Sequence, residues 1–172
     1  VSMPKRTDIK SVLIIGAGIS GIDAGYHLNK FAPKKSYVIL ENRERIGGTW
    51  DLFRYPGIRS DSDMFTLGYR FRPWKSPKAI ADGPSIRAYI EETARERGVD
   101  KLVRYGVTAT AFDWSDEAQR WTVTTQTASG PQRFTCDFLW NCSGYYRYDE
   151  GHMPEFAGAE TGTKLKWLGP HY

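Results

Sequence analysis

Gly16, Gly18 and Gly21 stand at the spacing G-x-G-x-x-G, and one acidic residue, Glu41, follows twenty positions after Gly21. The chemistry this spacing serves is the binding of a dinucleotide. The first glycine permits a tight turn, the second lets the backbone approach a pyrophosphate, and the third lets a helix pack closely on a strand. The pyrophosphate then rests on the helix N-terminus, beside Ser20, where free N–H groups and the helix dipole favour negative charge. Glu41 is placed to accept hydrogen bonds from a ribose hydroxyl. An acidic residue there repels a 2′-phosphate, so this site is not expected to prefer NADP.

Other residues with chemical potential are sparse. Cys136 and Cys142 lie six apart with no CxxC or metal spacing, and read as buried thiols of a reducing compartment. His27, His152 and His171 form no ligand pattern, and no metal site is expected. Arg59, Ser60 and Asp61 sit together in a Gly/Pro-rich stretch. An aspartate beside arginines there sets local charge, and a surface salt bridge is the plain alternative.

The elements around the glycines fit the dinucleotide reading. The run Val12–Ile15 reads as the end of a buried parallel strand over Lys10–Ile15. Ile19, Ile22 and Tyr26 mark one face of a helix over Ile19–Phe31, which Pro33 ends. Tyr37–Leu40 is a second buried strand, closed by Glu41. Residues 42–83 form a long irregular stretch with a short helix near Ser62–Tyr69. Its aromatics (Trp50, Phe53, Tyr55, Phe65, Tyr69, Phe71, Trp74) predict ordered packing around a ligand. Pro84–Arg97 reads as a helix, with Pro84 in its first turn and Gly98 at its end. Strand signals follow at Lys101–Trp114, Trp121–Thr127 and Phe134–Asn141. They predict a small antiparallel β layer inserted in the α/β unit, the last strand returning to the parallel sheet. The expected class is α/β, a Rossmann-like βαβ unit with a parallel sheet.

At 172 residues the chain is about one domain, with 24 basic and 20 acidic residues and a net charge of +4. Its basic residues are scattered, apart from pairs such as Arg43/Arg45 and Arg70/Arg72, so a nucleic-acid stripe is absent. No apolar run has transmembrane length and the first ten residues lack a signal-peptide core, which predicts a cytoplasmic protein. Peripheral membrane contact stays open.

The 45–74 stretch carries a family resemblance. Arg45-Ile46-Gly47-Gly48-Thr49-Trp50, Arg54-Tyr55-Pro56-Gly57-Ile58-Arg59-Ser60-Asp61-Ser62-Asp63-Met64 and Leu67-Gly68-Tyr69-Arg70-Phe71-Arg72-Pro73-Trp74 resemble class B flavoprotein monooxygenases. Within these they are most similar to the Baeyer–Villiger branch that includes the ethionamide-activating enzymes. Ala79–Gly83 and Cys142–Gly151 extend the similarity, which covers about residues 8–160.

The resemblance implies that the first βαβ unit holds FAD, with Gly16, Gly18, Ser20 and Gly21 at the pyrophosphate and Glu41 at the adenosine ribose. It places Gly48, Thr49, Trp50, Asp51 and Leu52 around the flavin side, and the main chain near Ala109 at the adenine. It gives Asp61 a place near the isoalloxazine, orienting a catalytic arginine, and puts Arg59, Ser60 and Asp61 where NADPH meets the protein. The implied activity is NADPH- and oxygen-dependent oxygenation, through a flavin C4a-peroxide, of a ketone or of a sulfur or nitrogen centre.

The family pattern breaks after about Glu160. The expected fingerprint histidine and tryptophan, a second GxGxxG and the catalytic arginine do not follow. The expectation is therefore an FAD-binding portion over 1–160, a non-family and possibly frame-shifted tail over 161–172, an absent NADPH domain, and no complete turnover by this chain alone. Two alternatives are weighed against it. A non-catalytic FAD-binding fragment is one. A different two-dinucleotide flavoprotein such as a disulfide reductase is the other, but it needs an early redox cysteine pair and residues 1–135 contain no cysteine.

Overall fold

The computed structural model describes residues 5–146 and 148; the sequence-based readings for 149–172, including the tail and His152 and His171, lie outside them. The chain runs β1 (Lys5–Ile15), α1 (Ile19–Phe31), β2 (Tyr37–Leu40), α2 (Thr49–Leu52), α3 (Met64–Leu67), α4 (Gly83–Glu96), a 3-10 turn (Asp100–Leu102), β3 (Val103–Arg104), β4 (Thr108–Ser115), β5 (Arg120–Thr127) and β6 (Gly130–Asn141). The helix over 19–31 and the strand over 37–40 fall where periodicity placed them. The first strand begins at Lys5, five residues before the expected start at Lys10.

All six strands share one sheet in the order β3-β2-β1-β6-β5-β4. β1 lies parallel to both β2 and β6, with Ile14 opposite Ile39 and Trp140. The antiparallel strands are present, and they continue the same sheet rather than forming a separate layer. β6 is long enough to serve both arrangements: Gly130–Cys136 pairs antiparallel with β5, while Gln132–Asn141 pairs parallel with β1. Beyond Cys136, β6 has β1 as its one strand partner among the described residues, and Phe138 there is 57% exposed.

The expected single strand over 101–114 is two strands. Gly106, at φ +65°, breaks it. Its N–H donates to Arg43 O, and the Val107 N–H donates to Glu41 O. β3 therefore joins β2 in parallel, and β4 leaves to pair with β5.

Alternation along β1 sorts the core. Val12 and Ile14 pack with Ile22, Ala24, Ile39, Ile86 and Ile90 on the helical face, while Leu13 and Ile15 join Val38, Leu40, Val123 and Phe134 on the other. α4 is capped by Asp82, whose side chain accepts from the Ser85 N–H at 2.9 Å. It buries Ile86, Tyr89, Ile90, Thr93 and Ala94. The aromatics of the long connection divide. Phe71 stacks on Tyr26 of α1, and Tyr69 and Trp74 pack on Tyr89 of α4. All three pack on the helices, and Tyr69 and Phe71 also line a groove beside α1. Tyr89 sits at the junction, accepting from the Tyr69 N–H at 2.8 Å and donating to Arg72 O.

Candidate dinucleotide-binding site

The turn after β1 is built from absent side chains. Gly16 has φ +99°, and a Cβ there would meet Cys142 O at 2.5 Å. A Cβ on Gly21 would meet Gly16 O at 1.9 Å, so α1 packs against its own entry turn at a distance only glycine allows. Gly18 caps α1 with no side-chain hydrogen bond, and no acidic residue occupies the first turn. The helix end keeps free N–H donors and an uncompensated dipole. Ser20 lies exposed on that turn.

A second glycine turn faces the first. Gly48, at φ +56°, approaches so closely that its Cβ would lie 3.0 Å from Gly18 Cα. The Gly47 N–H donates to Ala17 O at 3.1 Å. Thr49 and Trp50 begin α2 directly after this turn and are half-buried, and Leu52 ends it exposed.

Glu41 stands where the two turns meet. It is buried, with Oε2 accepting from the Ala17 N–H at 2.8 Å and Oε1 from the Arg43 N–H at 3.0 Å. Each carboxylate oxygen keeps a second lone pair for a further donor. The bond from the Val107 N–H to Glu41 O also brings the start of β4, and with it Ala109, beside the end of β2.

Asp51, which the resemblance puts on the flavin side, lies in α2 just after the second glycine turn. Its buried carboxylate is held by Arg43 at 2.6 Å, Arg54 at 3.2 Å and Arg87 at 3.3 Å. Burial alone would push this carboxyl up, but the Arg43 hydrogen bond and the charges of Arg43, Arg54 and Arg45 bring it below the ordinary range.

Arg59, Ser60 and Asp61 lie in the connection between α2 and α3. Arg59 bridges Asp82 in an isolated antiparallel pair and lines a cleft of about 660 Å³ with Trp50, Phe53, Tyr55, Arg54 and Arg87. Ser60 is buried, its N–H donates to Ala81 O at 3.0 Å, and its Oγ has no hydrogen-bond partner among the described residues. Asp61 is exposed and makes no ion pair among the described residues, so the surface salt bridge is not formed. The structure thus gathers Gly16, Gly18, Gly21, Glu41 and Gly48 into one cradle. Trp50 and Arg59 line a neighbouring cleft. A second groove, of about 780 Å³, opens beside Ser20 between α1, Arg70 and Trp140.

Sequence reasoning missed Arg43, Gly47, Arg54 and Arg87 as parts of this region. For Arg43 a signal existed in its position two residues after Glu41. For Arg87, an ordinary exposed-face position of α4, there was none. The cysteines are free, with Cys136 buried and Cys142 half-buried. Among the described residues no three His, Cys, Asp or Glu side chains gather as for a metal, and no helix is long and apolar enough to cross a membrane.

Comparison with known proteins agrees with this fold. The NAD(P)-binding Rossmann-like domain matches residues 14–93. The FAD-containing monooxygenase EthA of Mycolicibacterium smegmatis is 58% identical over 154 residues, which is 90% of this chain and 31% of that protein. Among solved structures, an oxidized steroid monooxygenase bound to NADP superposes with a TM-score of 0.74 at 27% identity, over 88% of this chain and 29% of that one. The OTEMO complex with FAD and NADP gives 0.73 at 28% identity, over 88% and 28%. Over nine-tenths of its length the chain is homologous to FAD-containing flavoprotein monooxygenases, and it spans about a third of their length.

Proposed function

We propose that this chain is the FAD-binding portion, over residues 1–160, of a flavin-dependent, NADPH-using monooxygenase of the Baeyer–Villiger type. The observation that carries the reading is the cradle. An uncapped helix end faces a second glycine turn, three glycine Cβ positions are sterically closed, and a buried carboxylate closes the end of β2. A side chain at Gly16, Gly21 or Gly48 would obstruct the loop, and an acidic cap would repel a diphosphate. Relatives named as FAD-containing support FAD as the ligand.

In this reading Gly16, Gly18, Ser20 and Gly21 hold the diphosphate, Glu41 accepts from the adenosine ribose, and the main chain near Ala109 borders the adenine. Thr49, Trp50 and Leu52 border the flavin side. Arg59, Ser60 and Asp61 serve the nicotinamide partner, and Asp61 is free to pair with an arginine supplied by the rest of a complete enzyme. When bound, the flavin supplies electron storage and oxygen activation, and the protein supplies orientation and exclusion of water. The substrate class is a small ketone or a sulfur or nitrogen compound, oxidised with molecular oxygen, in a cytoplasmic setting.

Equilibrium dialysis against FAD tests the reading. One FAD per chain, displaced by ADP-ribose but not by NADPH, is expected. Absence of saturable FAD binding to the folded chain overturns it. A second reading is a non-catalytic FAD-binding fragment. FAD binding without NADPH-driven oxygen uptake selects it.

A further inference from the structure

Two glycines in succession, Gly47 at φ +133° and Gly48 at φ +56°, are the most freely moving backbone the chain could place beside its dinucleotide loop. Something must hold them. Arg43 reaches across with one nitrogen, Nη2, and donates both to Gly48 O at 3.1 Å and to Asp51 Oδ2 at 2.6 Å. Its own backbone N–H is fixed by Glu41, and its carbonyl accepts from Gly106. Gly47 is wedged from the other side, where a Cβ would lie 3.0 Å from Asp51 Cβ and 3.1 Å from Arg87 Cγ. The Gly47 N–H then reaches Ala17 O in the first turn.

The bonds form a closed circuit. Glu41 holds Ala17 and Arg43; Arg43 holds Gly48 and Asp51; Gly47 holds Ala17. We propose that Arg43 and Asp51 are a positioning pair that clamps the Gly47–Gly48 turn against the dinucleotide loop, so that the cradle is formed before any ligand arrives. Arg43 is the principal strut. It is the least exposed of the three arginines on Asp51, at 25% against 32% for Arg87 and 60% for Arg54, and makes the shortest contact. A charge-assisted bond of that kind, made to a buried carboxylate, is stronger than an exposed ion pair. Asp51 acts through Arg43 and the turn, not on the ligand. The consequence for FAD affinity rests on the function proposed above; the clamp itself does not.

The test uses the whole 172-residue chain and two readouts. The first is site-resolved amide hydrogen exchange without ligand, following Gly47 and Ala17 with Ile90 of α4 as reference. Asp51→Asn and Arg43→Gln are each expected to speed exchange at Gly47 by about tenfold or more, as loss of one charge-assisted bond implies, with Ile90 unchanged. The double variant is expected to match either single one, because both break the same circuit. Arg43→Lys, which keeps the charge but changes the reach and direction of the donor, is expected to restore part of the protection and serves if the harsher variants do not fold. The second readout is FAD affinity, expected to weaken about tenfold in Asp51→Asn and less in Arg43→Lys. Unchanged Gly47 exchange in folded variants, or additive effects in the double variant, overturns the clamp. If the parent chain takes up no FAD, the cofactor reading fails, and the exchange data still decide the clamp.

Discussion

Replacing Gly21 by alanine separates two physical arguments by sign. Gly21 lies in the first turn of α1 with an ordinary helical φ, so intrinsic propensity alone favours alanine there by about 0.5–1 kcal/mol. The packing argues the reverse. The new Cβ would stand 1.9 Å from Gly16 O, a backbone atom, where a carbon–oxygen contact needs about 3.3 Å. Gly16 cannot retreat: its N–H is tied to Leu40 O at 2.8 Å and its Cα faces Cys142 O. Helix α1 must therefore move, and with it the fully buried Ile22 and Ala24. Overpacking of this kind costs about 1–3 kcal/mol, a drop of about 2–12 °C in melting temperature for a domain of this size. The shift also carries the helix end away from the second glycine turn, so FAD affinity is expected to fall by more than about tenfold, as a loss above 1.4 kcal/mol implies. Differential scanning fluorimetry and dialysis read both effects. Gly98→Ala is the control, since its Cβ meets nothing within 4 Å and only the left-handed φ of +66° is strained. It is expected to lower the melting point with FAD binding intact. A Gly21→Ala chain that melts higher than the parent and binds FAD normally would refute the packing argument.

Glu41→Gln places an amide NH₂ against one of two backbone N–H donors, and is expected to destabilise by about 1–3 kcal/mol in urea denaturation. Asp82→Ala removes the cap of α4 and the Lys78 contact, for an expected loss of about 1 kcal/mol. The hydroxyl and amide of Ser85, with the Lys78 ammonium, hold the Asp82 carboxyl far below its ordinary range, and Asp51 is also lowered. Groups depressed in the folded state stabilise fully above the unfolded carboxylate range, near pH 4, and lose that contribution as pH falls below it. The melting temperature should therefore fall steadily under about pH 4, and less steeply in Asp82→Ala. Burial raises both thiols, Cys136 to about 11, but Cys142 keeps solvent access and Cys136 has none, so at pH 8 Ellman's reagent should react with Cys142 before Cys136, with peptide mapping to tell them apart. Labelling of Cys136 first would contradict its burial.

Much of this arrangement could be read from residue order. The βαβ unit was legible because each signal was local: a four-residue apolar run, a 3.6-residue periodicity, and glycines whose spacing has a steric meaning. α4 was legible from Pro84, Gly98 and its apolar face, though not its Asp82 cap. The division of 101–114 was not, because Tyr105 and Val107 continue the strand pattern and only Gly106 marks the break. Its cause is long-range, in the bonds from Gly106 and Val107 back to Arg43 and Glu41. Where the aromatics of 69–74 pack was not legible, because composition cannot say which surface a ring meets; Tyr26 and Tyr89 supply much of it. Asp51 was legible as important but not as to why. Its partners come from positions 43, 54 and 87, and no sequence window holds all three.

Amide chemical-shift mapping during an FAD titration tests the central claim most directly. The cradle predicts shifts concentrated at Gly16–Gly21, Glu41, Gly47–Trp50 and Ala109. Shifts confined to the arginine-lined cleft around Arg54, Arg59 and Arg87, or none at saturating FAD, would contradict it.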